Sequence, residues 1–330
     1  MKIPRASAAV FVCAPVVAVA LWFMPPLLPS DYFVSLAARL LALVLLAGSF
    51  NLLMSYLALS SFGHSALFGV GGYALGILLR AADVDAGIGL VASLAAGAVV
   101  AAALGPSMLR AAGVYFILLS LAVGQVLWGI ADSWRSVTGG SDGMIVYAVP
   151  HIFGVDLVTP TAIFRLVMVV AVIGTVGLYV IVHSAFGSVL RGVRESELRM
   201  VALGYNVFAV RLLAFVLSGA IGGLAGGLVT VVNHFVSPDA MSVRLAVELV
   251  LCVILGGRGT FWGPLVAAFA LFACEEAISA FTPVWPLFLG LLFIAGVYVL
   301  RFDLLSLPRL LKWSRSTTGE HRASEPEVLP

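Results

Sequence analysis

Charge is scarce in this chain. Only 10% of its 330 residues are Asp, Glu, Lys or Arg, 62% are hydrophobic, and the mean hydropathy is +1.13. Soluble domains carry roughly a quarter charged residues, so this composition excludes a soluble globular protein and places the chain in lipid. The net charge of +2 says little, because where basic residues sit matters more than their sum; no nucleic-acid partner is expected. Lysine is rarest of all. Lys2 and Lys312 are the only two, and neither follows a glycine-rich loop, so a P-loop for ATP hydrolysis is excluded. Cys13, Cys252 and Cys274 lie in apolar runs at unrelated spacings and form neither a disulfide framework nor a zinc pattern. His64, His151, His183, His234 and His321 show no ligand spacing, and there is no Gly-x-Ser-x-Gly elbow. Acids within apolar runs are limited to Glu248, Glu275 and Glu276, with Arg244 one helical turn from Glu248. An intramembrane enzyme or an ion-driven carrier would need more ionisable groups at one depth. No catalytic residue, resident cofactor or metal site is therefore expected.

What is present is a series of long apolar runs. Lys2 and Arg5 precede the first, Ala8 to Met24; it continues past the small residues Ala18-Val19-Ala20 and is read as a retained helix, not a cleaved signal. The second covers Phe33 to Leu57 with Arg39 and Asn51 inside it. The third, Ser60 to Leu79, has Ser65, Gly69, Gly72 and Gly76 at three- and four-residue spacing, a pattern that lets helix backbones approach closely in lipid. Further spans are expected at Gly87–Leu104, Val114–Ile130 (containing Gln125) and Ala162–Val182. The seventh, Leu212–Val232, carries Gly219, Gly223 and Gly227 with Gly222 and Gly226 beside them, a double ladder that predicts burial on two sides. Val243–Leu255 is too short to cross roughly 30 Å of hydrocarbon alone. Phe261–Phe281 and Val284–Leu300 complete the set. The interval Asp132–Pro160, rich in turn residues and aromatics, predicts an ordered loop or short hairpin at a membrane face. The fold class is thus an all-α polytopic membrane protein of about ten transmembrane helices, some broken or re-entrant. Residues 1–32 form an N-terminal helix and outer turn, 33–300 the transmembrane domain, and 301–330 a polar tail.

With the N-terminus cytoplasmic, thirteen arginines and lysines fall on the inner side and five on the outer, the asymmetry that orientates membrane proteins. Both termini and the stretch Gly187–Gly204, the most charged in the chain, then face the cytoplasm. That stretch holds Arg191, Arg194, Glu195, Glu197 and Arg199, while Leu190, Val193, Met200 and Val201 share one side of a helical wheel. It reads either as a short helix docking into a groove on another protein or as an ordinary solvated loop. Gly204 is placed to end such a helix.

Five stretches taken in order resemble the M-type permease subunit of the branched-chain amino acid ABC importers. They are Ser61-Phe62-Gly63-His64-Ser65-Ala66-Leu67-Phe68-Gly69-Val70-Gly71-Gly72-Tyr73; Gly113-Val114-Tyr115-Phe116 with Gln125; Thr138-Gly139-Gly140-Ser141-Asp142-Gly143-Met144; Glu195 to Asn206 with Leu213-Ala214-Phe215; and Val253 to Thr260. The resemblance covers about residues 35–300. Gly72, where the family more often has Ala, and Ser196 and Met200 depart from its pattern. It implies a bacterial inner-membrane, multi-pass transport subunit, not an enzyme. The implied partners are a homologous second permease (H-type) or a second copy, two ABC ATPase subunits that bind the ATP and Mg, and a periplasmic substrate-binding protein. It maps the ATPase-coupling loop onto Arg191, Arg194, Glu195, Glu197, Arg199 and Gly204. Relatives carrying urea, short amides or aromatic acids on this scaffold leave the substrate open, and a secondary transporter is the rival from another class.

A translocation path belongs where spans are broken or short, because exposed backbone is tolerated only beside protein or a water-filled cavity. Asn51, Ser61, His64, Ser65, Gln125 and Glu248 are candidates to line it. Hydrogen bonding between helices accounts for the same polar residues equally well.

Overall fold

The computed structural model describes residues 22–27, 29–81, 84–146, 151–152, 155–257, 259–281 and positions 284, 286, 287, 290, 291 and 294. The expected first span (Ala8–Met24) and tenth span (Val284–Leu300) therefore lie largely, and the tail wholly, outside the described residues. The chain forms two compact units, Met1–Glu276 and Ala277–Pro330; in the second, Phe281 N–H donates to Ile278 O at 3.0 Å.

The first unit is a helical bundle. Its elements are α1 (Asp31–Tyr56), α2 (His64–Ala81), α3 (Ala86–Met108), α4 (Val114–Ser133), the single turn α5 (Arg135–Thr138), α6 (Pro160–His183), α7 (Ala185–Glu195), α8 (Glu197–Ala202), α9 (Val207–Asn233), α10 (Val243–Gly256) and α11 (Trp262–Ser279). Six of these, α1, α3, α4, α6, α9 and α11, are long and apolar enough to cross a membrane. Local chemistry sets the boundaries. Asp85, Thr159, Ser184, Ser196, Asn206 and Ser242 each cap the helix that follows by accepting a backbone N–H. His234, with φ +50°, ends α9 in the left-handed region.

One expected span departs from its predicted bounds for a backbone reason, and one is as short as expected. The third span is helical only from His64. Residues 57–63 are non-helical, Ala58 has φ +57°, and Phe62 N–H is satisfied by Ser120 Oγ at 3.0 Å across the bundle. Leu57 and Ser61 in this segment are buried, whereas Ala58 is exposed. The eighth run is a helix of 14 residues, about 21 Å long at 1.5 Å per residue, short of a full crossing.

α9 is the centre of the bundle. It packs against α1, α2 and α3, and α6 packs on α1. Two-thirds of its apolar span is buried, as is 61% of that of α1, against 22–33% for α3, α4 and α6; the latter three present their remaining surface outward. The glycines of α9 make this possible. A Cβ at Gly219 would lie 2.6 Å from Ala101 Cβ, at Gly223 2.5 Å from Ser93 O, and at Gly227 2.4 Å from Ser93 Oγ, so this row meets α3. Gly222 and Gly226 form the second row, against His64 and Phe68 of α2.

The ends of the bundle differ. One end, called near, carries α7, α8, the C-terminus of α1 and the turn at 257–261. There Arg194 Nη1 donates to Ser55 O, and a side chain at Gly259 would meet the same guanidinium at 3.7 Å. At the far end, after α4, Thr138 Oγ1 donates to Ala131 O at 2.6 Å, and Gly139 ends α5 at φ +82°. Among the described residues, four two-residue strands lie here. β1 (Met144–Ile145) pairs antiparallel with β4 (Phe235–Val236), and β2 (His151–Ile152) with β3 (Val155–Asp156). A far-end core of Ala66, Tyr73, Ala131, Met144, Val236 and Met241 ties this loop to α2.

Candidate functional site

Gly187–Gly204 folds as two helices, not one. Ser196, extended at φ −160°, breaks the stretch and then caps α8 by accepting Arg199 N–H at 3.3 Å. Leu190, Val193 and Met200 are buried, but Val201 is 56% exposed. The wheel that grouped Val201 with the others assumed one continuous helix, and the break resets its register. Arg191 donates to Val182 O at 3.1 Å, Arg194 to Ser55 O, and Arg211 binds Glu197 through two bonds of 3.1 and 2.8 Å. Glu195 and Arg199 are exposed, and Gly204 has φ +85° just beyond α8. Leu198, at 84% exposure, with Val201, Leu203 and Tyr205 forms an apolar surface at the tip. Sequence reasoning grouped Leu190, Val193, Met200 and Val201 as the apolar side, and so missed the surface of Leu198, Leu203 and Tyr205 as well as the Glu197–Arg211 pair.

The structure does not gather the six candidate path residues into one pocket. His64 is wholly buried where α1, α2 and α9 meet, its Nε2 2.9 Å from Ser49 Oγ. Ser49 gives its single proton to Leu46 O at 2.7 Å, so His64 carries its proton on Nε2 and keeps an unpartnered lone pair on Nδ1. Asn51 Nδ2 donates to Thr260 O at 3.1 Å and fixes the turn between α10 and α11. Ser61 is buried and its hydroxyl has no partner, whereas Ser65 Oγ donates to Met241 O at 3.4 Å. Gln125 is exposed, on the stripe of α4 that also carries Tyr115, Leu118 and Val126.

Glu248 is different. It lines a partly open cavity of about 220 Å³ at the far end, with walls from α1, α2, α9, α10, α11 and the 235–242 link. Arg244 bridges two carboxylates there, Glu275 at 3.1 Å and Glu248 at 3.2 Å. The second contact is an ion pair but off-line for a hydrogen bond, so Glu248 Oε1 accepts none. Arg39 holds Glu276 at 3.3 Å, and Tyr32 OH donates to the same carboxylate at 2.9 Å. The sequence shows each of these charges; the pairing of Arg39 with a residue 237 positions away leaves no local trace. Among the described residues no group of three or more His, Cys, Asp or Glu is placed to hold a metal ion.

The arrangement is that of a multi-pass membrane protein with a closely packed glycine core and an ionic cavity. A family model described as the branched-chain amino acid transport system / permease component matches residues 32–297. The chain belongs to this family of transport subunits. It is 24% identical over 292 residues to the high-affinity branched-chain amino acid transport system permease protein LivM of Salmonella typhimurium, covering 80% of this chain and 68% of that one. The LivM protein of Escherichia coli K12 is similar to the same degree, 24% over 293 residues with the same coverage. A probable branched-chain amino acid transport permease protein LivH of Methanocaldococcus jannaschii is 26% identical over 241 residues, 70% of each chain. No solved structure matches.

Proposed function

We propose that this chain is a membrane-spanning subunit of an ATP-driven ABC importer for branched-chain or similar hydrophobic amino acids, with ten spans and both termini in the cytoplasm of a bacterial inner membrane. The observation that carries the reading is the family match over residues 32–297. A second permease, homologous or identical, completes the path; two ATPase subunits supply ATP and Mg chemistry, and a periplasmic binding protein delivers substrate. α7 and α8 serve as the coupling element. Their exposed apolar tip supports docking to an ATPase, and their hold on α1 and approach to the 257–261 turn, through Arg194, give motion there a stiff route into the bundle.

Proteoliposomes holding the whole complex should import labelled leucine when ATP is present inside, and labelled urea or aromatic acids poorly. Import of urea or aromatic acids in preference to leucine reassigns the substrate. Uptake that needs no ATPase subunit and follows an ion gradient replaces the importer with a secondary transporter.

A further inference from the structure

We propose that Arg194 acts inward, as a positioning residue and not as an ATPase contact. It caps the C-terminus of α1 and thereby holds the strained link 57–63, so that displacement of α7 is passed to the start of α2. The inference rests on reading α7 and α8 as the coupling element and says what that element moves.

Three observations carry the assignment. The first is the end of α1. Its last turn holds no basic residue, although the final carbonyls of a helix lack intrahelical donors and carry partial negative charge. Arg194, in the last turn of α7 and 139 positions away, supplies the missing cation by donating from Nη1 to Ser55 O. A guanidinium there satisfies a terminal carbonyl and opposes the helix dipole. The second is strain just past that cap. Ala58 holds φ +57°, in the left-handed region that a Cβ makes costly and that glycine occupies freely. Ala58 is exposed, so packing around it does not impose the angle; the two ends of the link do. At the α1 end Leu53 O accepts the N–H groups of Leu57 and Leu59, both at 3.1 Å. At the other end Phe62 N–H donates to Ser120 Oγ at 3.0 Å, and a Cβ at Gly63 would lie 2.6 Å from Ser120 O. Such backbone persists only where its surroundings over-determine it, and the Arg194 cap is one of those constraints. The third is a pair of unpaired hydroxyls. Ser55 and Ser61 are fully buried, and neither side chain has a hydrogen-bond partner. Buried polar groups left unpaired are costly, so both ends of the link carry groups that another arrangement can satisfy. The link runs directly into His64, the first residue of α2, and α2 packs against α9. Strain and unpaired groups therefore favour rearrangement of the link, and the cap from α7 opposes it.

The test uses the whole complex in proteoliposomes and measures labelled leucine taken up per ATP hydrolysed, ATPase co-purification and thermal midpoint. Arg194→Gln should keep the ATPase and hydrolyse ATP but lose at least fivefold in uptake per ATP. Arg194→Lys, which leaves a cationic donor at the end of α1, should recover at least half of that loss. Ala58→Gly should also lose at least fivefold, with a midpoint at or above wild type, because an unstrained link stays in place when the cap leaves. A merely structural role leaves uptake normal in that variant. Gly177→Ala, where an added Cβ meets nothing within 4 Å, should match wild type throughout. Loss of the ATPase from a folded Arg194→Gln chain makes Arg194 a docking contact and overturns the inference. So does a lysine variant no better than glutamine, or an Ala58→Gly complex with wild-type uptake per ATP or a lowered midpoint. The Ala58→Gly arm decides the matter should Arg194→Gln fail to fold. A wild-type complex that imports no leucine removes the transport reading instead. The cap is then read from a nitroxide on Ser60→Cys in the full-length chain in lipid nanodiscs. Its mobility should rise with Arg194→Gln and stay unchanged with Gly177→Ala; equal mobility in both overturns the cap.

Discussion

Replacing Gly226 by alanine adds one methyl group at the closest approach of α9 to α2. The new Cβ would lie 1.8 Å from Phe68 O, 2.8 Å from Phe68 C and 3.0 Å from Gly72 N. All three are backbone atoms within helix α2, so no side chain can rotate away. Restoring ordinary contact, about 3.5 Å for nonbonded atoms, requires the helices to part locally by well over 1 Å. A radial gap of 0.5–1 Å already forfeits a quarter to a half of each dispersion contact, and in lipid dispersion is what holds helices together. Overpacking of this kind typically costs about 1–3 kcal/mol, and backbone contact argues for the upper part of that range. Against it stands the better helix propensity of alanine, about 1 kcal/mol. The net expectation is a loss of about 1–2 kcal/mol for Gly226→Ala. Gly177→Ala, which meets nothing within 4 Å, should keep only the propensity gain. The assay is thermal unfolding of the detergent-solubilised full-length chain, read as the monodisperse fraction on size exclusion after heating. Gly226→Ala should fall below wild type by several degrees and Gly177→Ala should not. Equal midpoints for both variants would refute the claim that glycine spacing sets the α9–α2 distance.

Three further outcomes follow from the same geometry. Leu198→Arg places a charge on the exposed tip of α8 and should abolish co-purification of the ATPase while membrane insertion and thermal midpoint stay at wild type; retained co-purification removes the tip from the docking surface. Glu197→Gln breaks the pair with Arg211, but Glu197 is 51% exposed, so its cost to stability should stay below about 1 kcal/mol, seen as an unchanged or marginally lower midpoint. For orientation, a cysteine introduced at Ser141 should react with an impermeant thiol reagent in sealed cells and one at Ser196 should not; labelling at Ser196 inverts the topology.

Much of this molecule is written in local patterns that the bilayer reads directly. Apolar length and scarce charge specify α1, α3, α4, α6, α9 and α11, because a segment surrounded by lipid must satisfy its own backbone. The two rows of glycine on α9 are legible for the same reason: their spacing follows the helical period, and small residues at that period have few uses other than close packing. The caps at Asp85, Thr159, Ser196 and Asn206 are likewise visible as residue types at the starts of runs. Tertiary structure decided what depends on residues distant in sequence. His64 gave no sign of being sealed against Ser49 and Gly222, nor Gln125 of pointing outward, since helical phase alone does not say which neighbour each face meets. Arg39, Arg244, Glu248, Glu275 and Glu276 converge only because α1, α10 and α11 bring their far ends together. Charge is long-ranged in a medium of low dielectric, yet its pairing is fixed by the packing of whole helices, and that packing exists only once the bundle has formed.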